Sequence, residues 1–188
     1  YNDVHDVCTT SSDCGAFYQG RSNISGGNIF RYNFIHDVGT GTLISNGIYF
    51  DDCLSGQIAY GNVISGCTGN GFLVGGGRAN VIEGNLIVSC RNSSIEYDAR
   101  GYEGQFGNGS WKKIVDFSYE TFQDERLIND TWKEAFPWLF AATITENPDP
   151  DDPNWLCAPG GSTVKKNVYV ITDRYGDIAT YDAADDEG

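Results

Sequence analysis

Two closely similar stretches decide the fold of this chain: YNDVHDV at residues 1–7 returns as YNFIHDV at residues 32–38. Looser copies follow at 60–64, 83–87 and 165–170. The asparagine that all copies share lies at positions 2, 33, 62, 85 and 167. Repeats of roughly 20 to 30 residues without helical periodicity are typical of solenoids. A buried asparagine in each turn would satisfy backbone groups there, and this structural role is favoured over a catalytic one.

A second strand-like segment recurs between these copies, as GAFYQ at 15–19, GIYFD at 47–51, GFLVG at 71–75 and SIEYD at 94–98. Side chains alternate between the two faces of a strand. The more apolar columns, placed inward, are Ala16, Ile48, Phe72 and Ile95, and Tyr18, Phe50, Val74 and Tyr97. The outward columns are then Phe17, Tyr49, Leu73 and Glu96, and Gln19, Asp51, Gly75 and Asp98. This pattern predicts an all-β parallel β-helix of about four to five coils. A leucine-rich-repeat solenoid is the rival, but its leucine consensus is absent.

The repeat is interrupted by one long insertion. We expect a single domain with β-helix coils over 1–101, an insertion lobe over 102–162, and a final coil with a C-terminal tail over 163–188. Apolar residues at helical spacing predict that the insertion is partly helical. Its four tryptophans are interpreted as a small core, with stacking on sugar rings as the alternative. Because the chain opens inside the repeat, we interpret it as a segment of a longer protein.

Composition restricts the compartment and the partners. The chain has 26 acidic and 12 basic residues, for a net charge of −14, which disfavours nucleic acid and anionic membranes. No apolar run reaches the length of a membrane span. The 6 cysteines and several N-x-S/T sequons predict a secreted, extracellular protein. The candidate glycosylation sites are Asn23, Asn92, Asn108 and Asn129.

The cysteines fit a disulfide framework in the same repeat. Cys67 and Cys90 each follow a repeated asparagine by five residues, so they stack one coil apart at a distance that a disulfide can span. Cys8 and Cys14 would close a small loop. Cys53 and Cys157 remain, and this pair would tie the insertion to the coils. The sequence has no Cys-x-x-Cys motif and no histidine cluster, so we expect no metal and no cofactor.

Two carboxylates in one outward column form the candidate site. Asp51 and Asp98 lie two coils apart, about 9–10 Å at the backbone, with only Gly75 between them. Side chains that lean together over that gap reach the separations used by glycosidases. Arg21, Arg78 and Arg100 close the corresponding segments and would keep carboxylates ionised or bind sugars. The structural alternative is a set of Arg–Asp ion pairs that caps the strands.

The order of motifs across nearly the whole chain resembles a widespread group of right-handed parallel β-helix proteins. This group includes or neighbours the family 141 glycoside hydrolases, which have fucosidase- and xylanase-type activities. The motifs that carry the resemblance are GAFYQGR, YNFIHDV, GIYFDD-x-x-SG, YGNVI, GGGRAN, IEGNLIV, EYDARG, WKEAFPWL and VKKNVYV. Two positions depart from it, because Ser22 and Ala79 stand where the family motifs carry aspartate. If either aspartate is catalytic, this chain is a degenerate enzyme.

The resemblance implies a polysaccharide groove with Asp51, Asp52 and Asp98 as catalytic candidates. Asp98 is the expected general acid, because Tyr97, Tyr102 and the insertion would desolvate it. Asp51 or Asp52 would then be the base or nucleophile. The expected substrate-binding residues are Arg21, Tyr49, Arg78, Glu96, Arg100 and Tyr102.

Two other functions stay open. One is a non-catalytic, glycosylated extracellular protein that binds glycan or self-assembles head to tail into a layer or fibre. The missing aspartates at Ser22 and Ala79 favour it. The other is a polysaccharide lyase that uses an arginine from the Arg21, Arg78 and Arg100 column.

Overall fold

Three parallel sheets make up most of the protein. The computed structural model describes residues 1–100, 116, 119–124, 128–145, 149, 152–172 and 177–181. Sheet A contains β1 (Asp3–Val7), β4 (Phe34–Val38), β7 (Val63–Cys67), β10 (Leu86–Val88) and β13 (Val168–Val170). Sheet B contains β2 (Cys14–Gly20), β5 (Ser45–Asp51), β8 (Phe72–Gly75), β11 (Ser93–Asp98) and β14 (Asp177–Tyr181). Sheet C contains β3 (Ile29–Arg31), β6 (Ile58–Tyr60), β9 (Val81–Glu83) and β12 (Thr163–Lys165).

The chain visits sheets A, B and C in rotation, so that each strand pairs with the corresponding strand of the next repeat. All of these pairings are parallel, with register partners such as Ile35 and Ile64 and Ile48 and Phe72. The all-β, parallel character expected from the repeats is therefore confirmed.

A ladder of hydrogen-bonded asparagine side chains joins successive repeats at the start of sheet A. Asn33 Nδ2 donates to Asn62 Oδ1 at 2.9 Å, and Asn62 Nδ2 donates to Asn85 Oδ1 at 3.0 Å. The ladder continues in the same way at both ends, to Asn2 and Asn167. Each asparagine also accepts the backbone N–H of the preceding one. The structural interpretation of the asparagine column is thus confirmed, because it satisfies buried turn groups.

The core lies between the three sheets and is built from stacked apolar columns. Ile35, Ile48, Ile64, Ile82, Ile87 and Ile95 are fully buried there, together with Phe50, Leu54, Phe72 and Val74. In-register stacking places equivalent side chains at the strand spacing of about 4.8 Å, which lets like residues pack on like residues. The inward columns through Ile48 and Phe50 are as predicted, from β5 to β11.

The predicted register of β2 is wrong by one residue. Phe17, not Ala16, pairs with Ile48, and Tyr18 pairs with Tyr49. Tyr18 therefore points outward and is 51% exposed, whereas the sequence pattern predicts it in an inward column. The offset between β2 and β5 is the same 31 residues that separates Asn2 from Asn33. In this first repeat, the asparagine ladder and the pairing of β2 with β5 therefore share one offset.

The insertion packs beside the turns that leave sheet B. Among its described residues are the helices α1 (Asp130–Ala135), which Asn129 caps, and α2 (Pro137–Phe140), so its partly helical character is confirmed. Leu139, Trp155 and Leu156 are buried with Cys53, and Trp132 and Trp138 pack against this cluster. Three of the four tryptophans thus contribute to a small core as expected, and Trp111 lies outside the described residues.

Candidate functional site

The guanidinium group of Arg100 brings three carboxylates together at the ends of β5 and β11. Its Nε donates to both oxygens of Asp98, at 2.9 and 2.8 Å, and Nη2 also contacts this carboxylate. Its Nη1 donates to Asp51 Oδ1 at 3.2 Å and to Asp52 Oδ1 at 3.4 Å. Such charge-assisted forks are the strongest arginine contacts. The residues predicted as catalytic therefore do converge, but on an arginine. We call Asp51, Asp52, Asp98 and Arg100 the carboxylate cluster.

Gly75 makes room for this arrangement. A Cβ atom at Gly75 would lie 2.8 Å from Arg100 Cζ, closer than real Cβ contacts. Asp98 pairs with Gly75 in register, as predicted. The gap expected between the two carboxylates is therefore filled by the Arg100 guanidinium, whose positive charge offsets the negative charge of the three acids.

Asp52 is the carboxylate whose protonation is most strongly perturbed. Burial, a hydrogen bond with Asp51 and the charge of Asp51 raise its pKa from 3.8 to about 6, although Arg21 and Arg100 oppose the shift. Its Oδ2 is 3.1 Å from Arg21 Nε, and its side chain is 15% exposed. A carboxyl group with this pKa is protonated in part near neutral pH, as a general acid requires.

Two tyrosines complete the surroundings of the cluster. The Tyr18 hydroxyl donates to Asp51 Oδ2 at 2.7 Å, and burial together with Asp51 raises the pKa of Tyr18 to about 12. The Tyr49 hydroxyl accepts from Arg100 Nη1 at 3.4 Å and donates to Asp13 Oδ1 at 3.3 Å. Burial also raises the pKa of Tyr49. Both hydroxyls stay protonated at neutral pH and act as fixed donors.

The side chains of the carboxylate cluster are only slightly exposed, 7% for Asp51, 15% for Asp52, 18% for Asp98 and 21% for Arg100. Both faces of β5 and β8 are buried, with Tyr49 only 2% exposed, so the expected open groove along these strands is not present. The exposed neighbours of the cluster are Tyr18 and Arg21, and Arg21 pairs with Asp52. Asp52 and Asp98 are both partly exposed, so a ligand at this surface would contact both carboxylates.

Several predicted site residues lie elsewhere. Arg78 is buried, and its Nη1 donates to the backbone oxygens of Asn154 and Trp155 in the insertion. These bonds hold the Arg78 guanidinium against the insertion and away from the carboxylate cluster. Glu96 accepts a hydrogen bond from Asn70 Nδ2 at 2.8 Å, within sheet B. Tyr102 lies outside the described residues.

Residue Tyr18 was missed as a site residue because it was assigned to an inward column. The signal that would have found it is the spacing of 31 residues between Asn2 and Asn33, which places Tyr18 beside Tyr49. Asp13 was missed as well, since it precedes β2 and belongs to no repeat column. Ser22, at one of the positions where the resembled family carries aspartate, is within 2.6 Å of Ser25 Oγ.

The four sequons have different accessibilities. Asn23 is fully buried, and its Nδ2 donates to the Cys53 and Leu156 oxygens, so glycosylation there is excluded in this fold. Asn92 and Asn129 are exposed. Asn129 uses its Oδ1 to cap α1, which leaves its Nδ2 for a glycan. Asn108 lies outside the described residues.

All six cysteines are thiols in this structure, and the three predicted disulfides stay predictions. The predicted partners are nevertheless neighbours: the thiol of Cys8 contacts that of Cys14, Cys53 that of Cys157, and Cys67 that of Cys90. Cys90 stacks on Cys67 because Arg91 N donates to the Cys67 oxygen at 2.9 Å.

Within the described part of the chain, no group of three or more His, Cys, Asp or Glu side chains is arranged to hold a metal ion. In the same residues, no helix has the length and apolarity that a membrane crossing requires. No family model, curated protein or solved structure matches the chain.

The raised pKa of Asp52 is expected to make the chain less stable as the pH rises from about 4 to 6. Because the pKa is about 6 in the folded state and near 3.8 in the unfolded state, the folded state holds a proton that the unfolded state releases. This contribution, about 1 to 3 kcal/mol, is present below pH 4 and lost as the pH passes 6.

Thermal denaturation of Asp52→Asn between pH 4 and 7 checks this prediction. The variant should be stabilised relative to the wild type at pH 7 and not at pH 4. Asp130→Asn is the matched control, since that side chain is 98% exposed and lies in α1. A wild-type pH profile in Asp52→Asn would show that Asp52 does not titrate in this range.

Proposed function

We propose that this protein is a secreted, glycoside hydrolase-like protein that acts on a complex polysaccharide. The proposed fold is a right-handed parallel β-helix. The rotation of the chain through three parallel sheets supports it, and nearly all parallel crossover connections are right-handed. The resemblance to family 141 glycoside hydrolases supports the reaction class.

The observation that carries the proposal is Asp52, a carboxyl group with a pKa of about 6 at the accessible edge of the carboxylate cluster. Glycosidases need one carboxyl group that is still protonated near the working pH and another that is ionised. An isolated surface carboxylate would have lost its proton well below that pH. Asp52 meets the first requirement, and it replaces Asp98 as the proposed proton donor.

Asp98 is the proposed second carboxylate, acting as nucleophile or general base. Its two oxygens accept the Arg100 fork, an arrangement that suits the ionised form. Asp52 and Asp98 contact the same guanidinium, so their nearest oxygens are at most about 8 Å apart, which spans the separations of retaining enzymes and part of those of inverting enzymes.

Asp51 is proposed as a positioning residue. It is 5% exposed, and its two oxygens are taken by Tyr18 and Arg100. Asp51 and Asp52 are hydrogen-bonded to each other, so their carboxyl groups are too close together to flank a glycosidic bond. Its charge instead raises the pKa of Asp52, and Tyr18 and Arg100 fix its orientation.

Hydrolysis assays with single Asp→Asn variants test this assignment. On xylan- and fucose-containing polysaccharides, we expect Asp52→Asn and Asp98→Asn to lower kcat/KM by about 10²- to 10⁴-fold. Asp51→Asn should have a smaller effect and should shift the alkaline limb of the pH–rate profile to lower pH, because the proton donor Asp52 would lose its proton earlier. Asp130→Asn is the control and should keep full activity.

Wild-type turnover in Asp52→Asn and Asp98→Asn would refute the proposed catalytic roles. Release of new reducing ends by the wild-type chain is the readout, and a folded state of each variant is verified by its thermal transition.

The second candidate is a non-catalytic, glycosylated extracellular protein that binds glycan or assembles head to tail. Burial of both faces of β5 and β8 favours it, as do the ion pairs of all three clustered carboxylates. It predicts glycan binding or concentration-dependent assembly without release of reducing ends. A lyase that uses Arg100 as its base is disfavoured, because Asp98 outweighs the effect of burial and raises the pKa of Arg100.

A further inference from the structure

The junction between the insertion and the turn after β5 is fully buried. Cys53 directly follows Asp52, and Cys157 belongs to the insertion, 104 residues later. Both are 0% exposed and lie in one apolar cluster with Leu139, Trp155 and Leu156. This junction is therefore where the insertion meets the turn that carries the candidate acid.

Asn23 fixes three chain segments at this junction. Its Nδ2 donates to the Cys53 oxygen at 3.2 Å and to the Leu156 oxygen at 3.4 Å. Its Oδ1 accepts from the Cys157 thiol at 3.6 Å. The turns after β2 and β5 are thus bound to the insertion through one buried amide, and the two cysteines cannot drift apart without breaking these bonds.

The two sulfur atoms face each other inside this junction. The Cys53 thiol contacts the Cys157 thiol, and Cys53 Sγ lies 4.0 Å from the Cys157 backbone oxygen. A second tether, the Arg78 guanidinium, binds the Asn154 and Trp155 oxygens on the same side of the insertion. Hydrogen bonds that do not involve a disulfide therefore hold the segments of Cys53 and Cys157 next to each other.

We infer that Cys53 and Cys157 form a disulfide that clamps the insertion onto the turn bearing Asp52. The clamp does not depend on the proposed catalysis. It closes a loop of about 100 residues, the length for which a cross-link restricts the unfolded chain strongly. It would also prevent the insertion from leaving the side of the carboxylate cluster.

The chemistry is thiol–disulfide exchange with a small disulfide such as oxidised glutathione. The thiolate of one cysteine attacks that disulfide, which releases one glutathione thiol and leaves a mixed disulfide. The thiolate of the other cysteine then attacks the mixed disulfide and releases the second glutathione. Two protein thiols are oxidised, and one small disulfide is reduced to two thiols. Burial raises the pKa of Cys53, so the exchange belongs to folding rather than to the closed native state.

Disulfide mapping of the full chain tests the clamp. The chain is folded in a glutathione redox buffer, alkylated under denaturing conditions, digested and analysed by mass spectrometry. We expect the peptides with Cys53 and Cys157 to appear as one linked species that reduction separates. Reduction should also lower Tm by several degrees to about 10 °C and speed proteolysis within 102–162.

Variants make the assignment specific. Cys157→Ser should abolish the linked species and leave reduction without effect on proteolysis of the insertion. Cys67→Ser is the matched control, because Cys67 is equally buried but contacts Cys90 in sheet A. It should keep the Cys53–Cys157 link. Disulfide mapping of the wild-type chain tests the link even if a variant does not fold. Separate alkylation of Cys53 and Cys157, or linkage of either to another cysteine, overturns the inference.

Discussion

Replacing Asn62 with alanine is expected to lower the free energy of unfolding by about 3 to 5 kcal/mol. The Asn62 side chain donates to the Phe30 oxygen at 2.8 Å and to Asn85, and it accepts two N–H groups of Asn33. Asn62 is only 1% exposed, so these hydrogen bonds are shielded from water. Alanine would leave several buried donors and acceptors unpaired, and each costs about 1 to 3 kcal/mol.

Chemical denaturation monitored by circular dichroism measures this effect. Asn2→Ala is the matched control, because Asn2 makes the same kind of contact with Asn33 but stands exposed at the end of the ladder. It should cost less than about 1 kcal/mol. Equal losses in the two variants would contradict a ladder whose importance depends on burial.

Replacing Arg100 with alanine is expected to destabilise the chain by about 3 to 5 kcal/mol at neutral pH, because three partly buried carboxylates would lose their common cation. Without Arg100, burial and mutual repulsion would oppose three neighbouring negative charges in the folded state. The penalty is therefore largest at neutral pH and smallest in acid, where carboxylates are neutral.

Thermal denaturation of the Arg100→Ala variant and of the wild type between pH 3 and 7 checks this expectation. The difference in Tm should be largest at pH 7 and should shrink towards pH 3. Arg100→Lys keeps the charge but not the fork, so it should recover part of the loss. A difference in Tm that does not vary with pH would mean that Arg100 acts by packing alone.

Much of the fold could be predicted because its repeats relate sequence to space in a simple way. The spacing of Asn33, Asn62 and Asn85 is the spacing of successive repeats, and each asparagine binds the next. The columns through Ile48 and Phe50 followed from alternation along strands. The register error at β2 came from aligning Ala16 with Ile48, whereas Phe17 is the residue that pairs with Ile48.

The candidate site was only partly predictable. Asp51 and Asp98 share a column, so their approach followed from the register. The position of Arg100 did not, because Arg100 follows β11 and its side chain turns back over Gly75, which no strand pattern describes. The different environments of Asp52 and Asp98 depend on that one side chain.

The sequence by itself determined the stack of parallel strands, the asparagine ladder and the contact of Cys90 with Cys67, because these depend on backbone translation from one repeat to the next. The tertiary structure alone decided where Arg100 and the insertion lie. Arg78 and Asn23 bind the insertion through its backbone oxygens, contacts that carry no side-chain signature in the insertion itself. Such contacts join distant segments by packing, so no spacing along the chain encodes them.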